Sequence, residues 1–329
     1  MPIQFDPSTF NHQTAICGGY KYHYIDEGPK KANTITIVLI HGFPDLWYGW
    51  RYQIKHLASL GKYRVIAPDM LGYGGTDKPR IDNEPGDGDD DKDNSSKDGD
   101  QCHPAYYTKS LASHVVELLD HLHVQKAVLV GHDWGTGIVS RVGWHFPERV
   151  LAAIAIGNPF RPVTEHVVTI ADYVKENPAF QYFEYFVSPG AASAMNARVE
   201  DFVNELFSNE SGNSDKDRAY YLQNHKEGGF QGPLSYYKSI EQCHQGELYL
   251  VGKRFTVPTL LLIVNNDPLL NGEYCRQVST DYFDNIEMDE IKTGGHWILT
   301  QNPDVVNKKL EDYLRRLFDS STASTSNGN

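Results

Sequence analysis

The sequence predicts an α/β architecture, a mostly parallel β-sheet covered by helices, with a helical segment inserted between two strands. Three observations carry this. Short β-rich apolar runs alternate with longer helical patterns. Between roughly Phe160 and Gly252 the β runs stop and aromatic-rich helical patterns take over. The run Val128-Leu129-Val130 ends in Gly131-His132-Asp133-Trp134-Gly135 and passes directly into a helix. With 329 residues and 40% apolar composition, the chain can build one large core and a smaller second layer.

Ala15-Ile16-Cys17 and Tyr20 to Tyr24 flank Gly18-Gly19, the pattern of an opening hairpin. Thr34 to Ile40, Val65 to Ala67, Ala127 to Val130, Val150 to Ile156 and Thr259 to Val264 read as buried strands. Tyr107 to Leu122 and Val305 to Leu317 repeat apolar residues at helical spacing and should pack on the sheet. The expected division is an α/β core of residues 1–159 and 253–318 with a helical cap of residues 160–252, broken at Pro178, Pro189, Gly228-Gly229 and Pro233.

Within the core, residues 82–100 hold nine acidic residues against two lysines and no aromatic. Such a segment cannot bury enough surface to order itself and reads as a solvated, flexible insertion, with a cation site as the alternative. Residues 319–329, rich in Ser, Thr and Asn, read as a disordered tail.

Composition excludes several function classes. The formal charge of −13 argues against nucleic-acid binding, which needs clustered Lys and Arg. No apolar run is long enough for a membrane span, and Met1 to Asp6 lacks the start of a signal peptide. Cys17, Cys102, Cys243 and Cys275 lie far apart, as expected of reduced thiols in a cytoplasmic protein. Scattered histidines give no metal site, no Gly-x-Gly-x-x-Gly loop occurs, and no cofactor is expected.

The Gly-x-Asp-x-Gly turn carries the chemistry. Flanking glycines let the chain turn sharply and hold the Asp133 side chain clear of the sheet. A solvated aspartate in a glycine-bounded turn would read the same in isolation. As a nucleophile, however, a carboxylate is already ionised at neutral pH and can attack a saturated carbon to form an ester. His41-Gly42-Phe43-Pro44 follows the apolar run Ile35 to Ile40, so the N–H groups of Phe43 and Trp134 can converge as an oxyanion hole. His41 reads as a turn-stabilising residue.

Asp267 and His296 follow β-like runs, where parallel sheets place their sites, in the chain order nucleophile, acid, histidine. His296 would activate water to cleave the ester, and Asp267 would orient it.

These motifs, His41-Gly42-Phe43-Pro44, Gly131-His132-Asp133-Trp134-Gly135 and Gly295-His296, resemble the α/β-hydrolase-fold epoxide hydrolases of the soluble type found in plants, fungi and animals. The resemblance runs from about Gly19 to Leu317 and departs mainly at residues 82–100. It implies an α/β-hydrolase fold with an eight-stranded, mostly parallel sheet and an inserted cap. It also implies two cap tyrosines that hold the epoxide oxygen. Asn177-Pro178-Ala179-Phe180-Gln181-Tyr182 suggests Tyr182 for the first; Gly232-Pro233-Leu234-Ser235-Tyr236-Tyr237 suggests Tyr237 for the second, with Tyr236 as its rival.

The expected activity is hydrolysis of a small apolar epoxide by water, in a pocket lined by Phe43, Trp134, Tyr182, Tyr237 and Trp297, by a monomer or homodimer. The alternative is a haloalkane-type dehalogenase with the same Asp-His-Asp triad, in which the paired tyrosines would have no acid to supply. Asp133 disfavours a serine esterase, and retention of every catalytic residue type disfavours a binding protein without turnover.

Overall fold

The computed structural model describes residues 5–80, 102–277 and 280–319. The acidic segment 82–100, residues 1–4 and the tail from 320 onward lie outside the described residues.

Eight strands form one sheet: β1 (His12–Cys17), β2 (Tyr20–Glu27), β3 (Ile35–Ile40), β4 (Tyr63–Pro68), β5 (Ala127–His132), β6 (Val150–Ile156), β7 (Thr259–Val264) and β8 (Ile286–Ile291), in the order β1-β2-β4-β3-β5-β6-β7-β8. The hairpin β1–β2 is antiparallel and turns at Gly18 and Gly19, whose φ of 59° and 83° suit glycine. β2 pairs antiparallel with β4; from β4 onward every pairing is parallel. Every residue of β5 and β7 is buried, which is why these strands read as unbroken apolar runs.

The chain crosses from β3 to β4 on one side and returns to β5 on the other. This reversal opens a crevice outside the carboxyl ends of β3 and β5, where open parallel sheets receive ligands. Registers such as Ile40 with Gly131 and Ile156 with Leu262 bring those ends level.

Helices α1 (Arg51–Ser59), α2 (Thr108–His121) and α3 (Trp134–His145) follow β3, β4 and β5. Between β6 and β7 lies an all-helical insert: α4 (Ile170–Glu176), α5 (Tyr182–Phe186), α6 (Ala191–Ala197), α7 (Val199–Leu206), α8 (Asp215–Gly228), α9 (Gln231–Lys238) and α10 (Ile240–Gly246). The chain closes with α11 (Gly272–Arg276), α12 (Ile298–Gln301) and α13 (Pro303–Asp319), so Asp319, expected in the tail, ends a helix.

Capping boxes at Thr169/Asp172 and Ser214/Asp217 set where α4 and α8 begin. Polar contacts then fasten α8 to the loop after β3. Tyr221 donates to Asp45 at 2.7 Å, Tyr48 to Asp217 at 2.6 Å, and the Trp47 indole to Tyr220 at 3.0 Å. The fully buried Arg51 lies 3.6 Å from Asp217 and donates to Asn213 at 3.0 Å.

Candidate active site

Asp133 stands at the sharp turn between β5 and α3, with φ 53° and ψ −126°. A non-glycine residue is held there only when its surroundings dictate it, and the flanking glycines do so by close approach. A Cβ on Gly131 would sit 2.5 Å from the Gly135 carbonyl carbon, and one on Gly135 would land on the Ile40 carbonyl oxygen. The first turn of α3 is thus pressed against β3, and its amino end, with a favourable dipole, faces the Asp133 carboxylate.

The Phe43 N–H donates to Asp133 Oδ1 at 2.7 Å, and the Trp134 N–H also donates to this carboxylate. The two expected oxyanion donors therefore converge on one side chain. Burial raises the Asp133 pKa against the opposing pull of His296 and these N–H groups.

His296 Nδ1 meets Asp267 Oδ2 at 2.9 Å, and its Nε2 lies 4.0 Å from Asp133 Oδ2. Burial alone would lower the His296 pKa, but Asp267, hydrogen-bonded to it, and Asp133 raise it to about 9. Burial likewise opposes ionisation of Asp267, yet His296 and the N–H groups of Leu269 and Leu270, at 2.8 and 3.1 Å, hold its pKa below the usual carboxylate value. An ionised Asp267 accepting from Nδ1 leaves Nε2 directed at Asp133. His41 turns elsewhere: its Nε2 accepts from the Met70 N–H at 2.9 Å, and its Nδ1 lies 2.9 Å from the Gly42 carbonyl oxygen.

Tyr182 begins α5 and Tyr237 lies in α9, with ring centroids 6.2 Å apart. The Trp134 ring stands edge-on to Tyr237, with centroids 5.0 Å apart, and the Tyr237 hydroxyl hydrogen-bonds Tyr182. The Tyr236 ring also borders the space beside Asp133, but its hydroxyl donates to the Leu71 carbonyl at 2.9 Å. Burial first, then the negative Asp133, pushes the Tyr182 pKa up; burial, Tyr182 and Asp133 do the same for Tyr237. Both hydroxyls keep their protons at neutral pH.

The space between sheet and insert has two arms that share Asp133, Tyr182 and Leu269. The larger, about 410 Å³, is walled by Phe43, Phe186, Phe202, Leu206, Tyr237 and Trp297, with His296 at its base. The smaller, about 130 Å³, runs past Trp134 to Asn158, Arg161, Phe180 and Tyr274. All five residues expected to line a pocket border one arm or the other.

Sequence reasoning missed Asn158, which follows β6 and donates from Nδ2 to the Asp133 carbonyl at 3.3 Å, bracing the turn. Its place just past a strand's carboxyl end, in Gly157-Asn158-Pro159, was the available signal. Among the described residues, no cluster of three or more His, Cys, Asp or Glu could hold a metal ion, and no helix is long and apolar enough to cross a membrane.

Residues 35–303 match a family model described as alpha/beta hydrolase fold. The chain is 29% identical to a bifunctional epoxide hydrolase 2 of Sus scrofa over 342 residues, covering 95% of this chain but 57% of that protein. It therefore spans little more than half of the pig relative's length. It is 27% identical to the epoxide hydrolase srdG of Neurospora crassa, covering 95% of this chain and 97% of the relative. Among solved structures, the epoxide hydrolase VrEH1 of Vigna radiata superposes with a TM-score of 0.77 at 23% identity, covering 95% of this chain and all of that one.

Proposed function

We propose that this chain, which belongs to the α/β hydrolase fold family, hydrolyses epoxides to vicinal diols through a covalent ester on Asp133. The observation that carries this reading is a carboxylate at the β5–α3 turn sharing one cavity with two hydrogen-bonded tyrosines that retain their protons. Relatives named epoxide hydrolase support it. In this reading residues 160–252 act as a cap that supplies the acid, and residues 1–159 with 253–318 supply the nucleophile and the base.

An Asp133 carboxylate oxygen attacks one epoxide carbon, the carbon–oxygen bond breaks, and the alkoxide takes a proton from Tyr182 while Tyr237 hydrogen-bonds the oxygen. Water then attacks the ester carbonyl as His296 Nε2 takes its proton. The N–H groups of Phe43 and Trp134 hold the tetrahedral oxyanion. Collapse expels the diol, whose new oxygen came from Asp133. His296 returns one proton to the leaving alkoxide, and the other proton of the water restores Tyr182.

Esterification removes the Asp133 charge, one of the three carboxylates, with Asp267 and Asp45, that raise the His296 pKa. The imidazolium therefore gives its proton to solvent more readily at this stage, which frees Nε2 to accept one from water, and the ring is protonated again once the Asp133 carboxylate is restored.

The dehalogenase alternative uses the same triad. It fits less well because a departing halide has no need of the two proton-retaining tyrosines that border the cavity beside Asp133. The proposal includes a cytosolic setting, supported by four buried free thiols, and a monomer or homodimer acting on a small apolar epoxide.

The test compares styrene oxide with a 1-haloalkane for wild type and Tyr182→Phe, following diol and halide. Diol from wild type, reduced at least about tenfold in the mutant by loss of the acid, is the expected result. Halide release without diol would overturn the reading.

A further inference from the structure

Two glycines ahead of the base leave its loop without stiffness of its own. Gly294, at φ 77°, and Gly295 precede His296 directly, and glycine restricts its backbone least of all residues. Asn302 Nδ2 donates to Thr293 Oγ1 at 2.6 Å, which ties the ends of the loop rather than the Gly295 peptide.

Gln301 reaches that peptide. Its Oε1 accepts from the Gly295 N–H at 2.7 Å, and its Nε2 donates to the Glu210 carbonyl at 2.9 Å. Glu210 belongs to the helical insert, in the turn Asn209–Ser211 between α7 and α8. One side-chain amide therefore spans from the insert to the residue before the base.

The insert is well seated at this point. Thr300 Oγ1 donates to the Ser211 carbonyl at 2.6 Å. Gly212, at φ 81°, comes so close that a Cβ there would lie 2.4 Å from the Thr300 carbonyl oxygen. The Phe207 ring packs on Trp297 with centroids 4.9 Å apart. Gln301 thus bonds a fixed carbonyl at one end of its amide and steadies the glycine peptide at the other.

We propose that Gln301 is a positioning residue for His296: by tying the Gly295 N–H to the insert, it sets how closely Nε2 approaches the water that cleaves the ester. This rests on the ester mechanism above and adds a residue to it. Asp133, Tyr182 and Tyr237, which open the epoxide, lie on other elements, so Gln301 acts on the second half of the reaction and not on the first.

Gln301→Met tests it, because methionine has similar length and makes neither hydrogen bond. Wild type and variant receive a pulse of styrene oxide below the enzyme concentration, and intact mass is read at intervals after quenching. The rise of the adduct reports epoxide opening; its decay reports ester hydrolysis and depends on neither substrate binding nor the fraction of folded protein. Decay should slow at least about tenfold, since a misplacement of about 1 Å costs up to about a hundredfold, while the rise changes by about twofold or less. In wild type the Gly295 amide should exchange slowly with deuterium.

An unchanged decay, or rise and decay slowed by the same factor, would overturn the proposal. So would wild-type exchange of the Gly295 amide at the rate of an open loop, however the variant folds. Diol from wild type reports on epoxide hydrolysis separately: diol with an unchanged decay removes the role of Gln301 alone, whereas no diol removes both.

Discussion

At the scale of single residues, the site depends on how neighbouring charges set the proton of His296. Asp267 and Asp133 raise its pKa to about 9, so at neutral pH the resting His296 keeps its proton, with Asp267 at 2.9 Å on one side and Asp133 at 4.0 Å on the other. A base must be unprotonated, and the ester has lost the Asp133 charge. Ester hydrolysis in single-turnover experiments should therefore accelerate as pH rises, with a midpoint below about 9. A midpoint at or above that value would mean that Asp133 does not contribute to the shift.

The same scale separates what the residue pattern could and could not reveal. Asp133, Asp267 and His296 were readable because each follows a strand, and backbone geometry alone brings strand ends together. Choosing between Tyr236 and Tyr237 required knowing where each hydroxyl points, because both rings border the cavity while the Tyr236 hydroxyl is bound to the Leu71 carbonyl. A single helical turn decides that, and adjacent aromatics in a sequence do not.

At the scale of elements, close approach of backbones positions the nucleophile. Gly135 lets α3 press onto β3, and a methyl group there would collide with the Ile40 carbonyl oxygen, which belongs to the sheet and cannot rotate away. Gly135→Ala should cost about 1–3 kcal/mol in urea unfolding. An unchanged midpoint would show that the turn is looser than this packing implies.

The central strands announced themselves as apolar runs because both their faces are covered. β8, Ile286-Glu287-Met288-Asp289-Glu290-Ile291, gave only a weaker β-like run ahead of His296. It is an edge strand with partly exposed faces, and its acidic residues pair with Arg276, Lys309 and Arg316, so its sequence carries little apolar signal. Strand ends were also misjudged: β4 runs from Tyr63 to Pro68 rather than over Val65 to Ala67.

At the scale of the molecule, the cavity exists because the helical insert is held over the sheet, and buried polar contacts do much of the holding. Arg51 is sealed between α1 and α8 and faces the Asp217 carboxylate. Removing one partner of a buried ion pair strands the other, so Asp217→Ala should lose about 3–5 kcal/mol of stability in chemical denaturation. A loss below about 1 kcal/mol would place the hold on the insert in its apolar contacts instead. These contacts were not legible in the sequence, because Arg51 and Asp217 lie far apart in the chain and meet only once the insert folds back over the loop after β3.

The whole account turns on a covalent bond to Asp133. His296→Gln removes the water-activating base while leaving the nucleophile and the cap tyrosines in place. Intact-mass measurement after adding styrene oxide should show the variant heavier by one substrate mass, with the adduct on the peptide that contains Asp133. Steady diol release with no adduct, or an adduct on another residue, would contradict the mechanism.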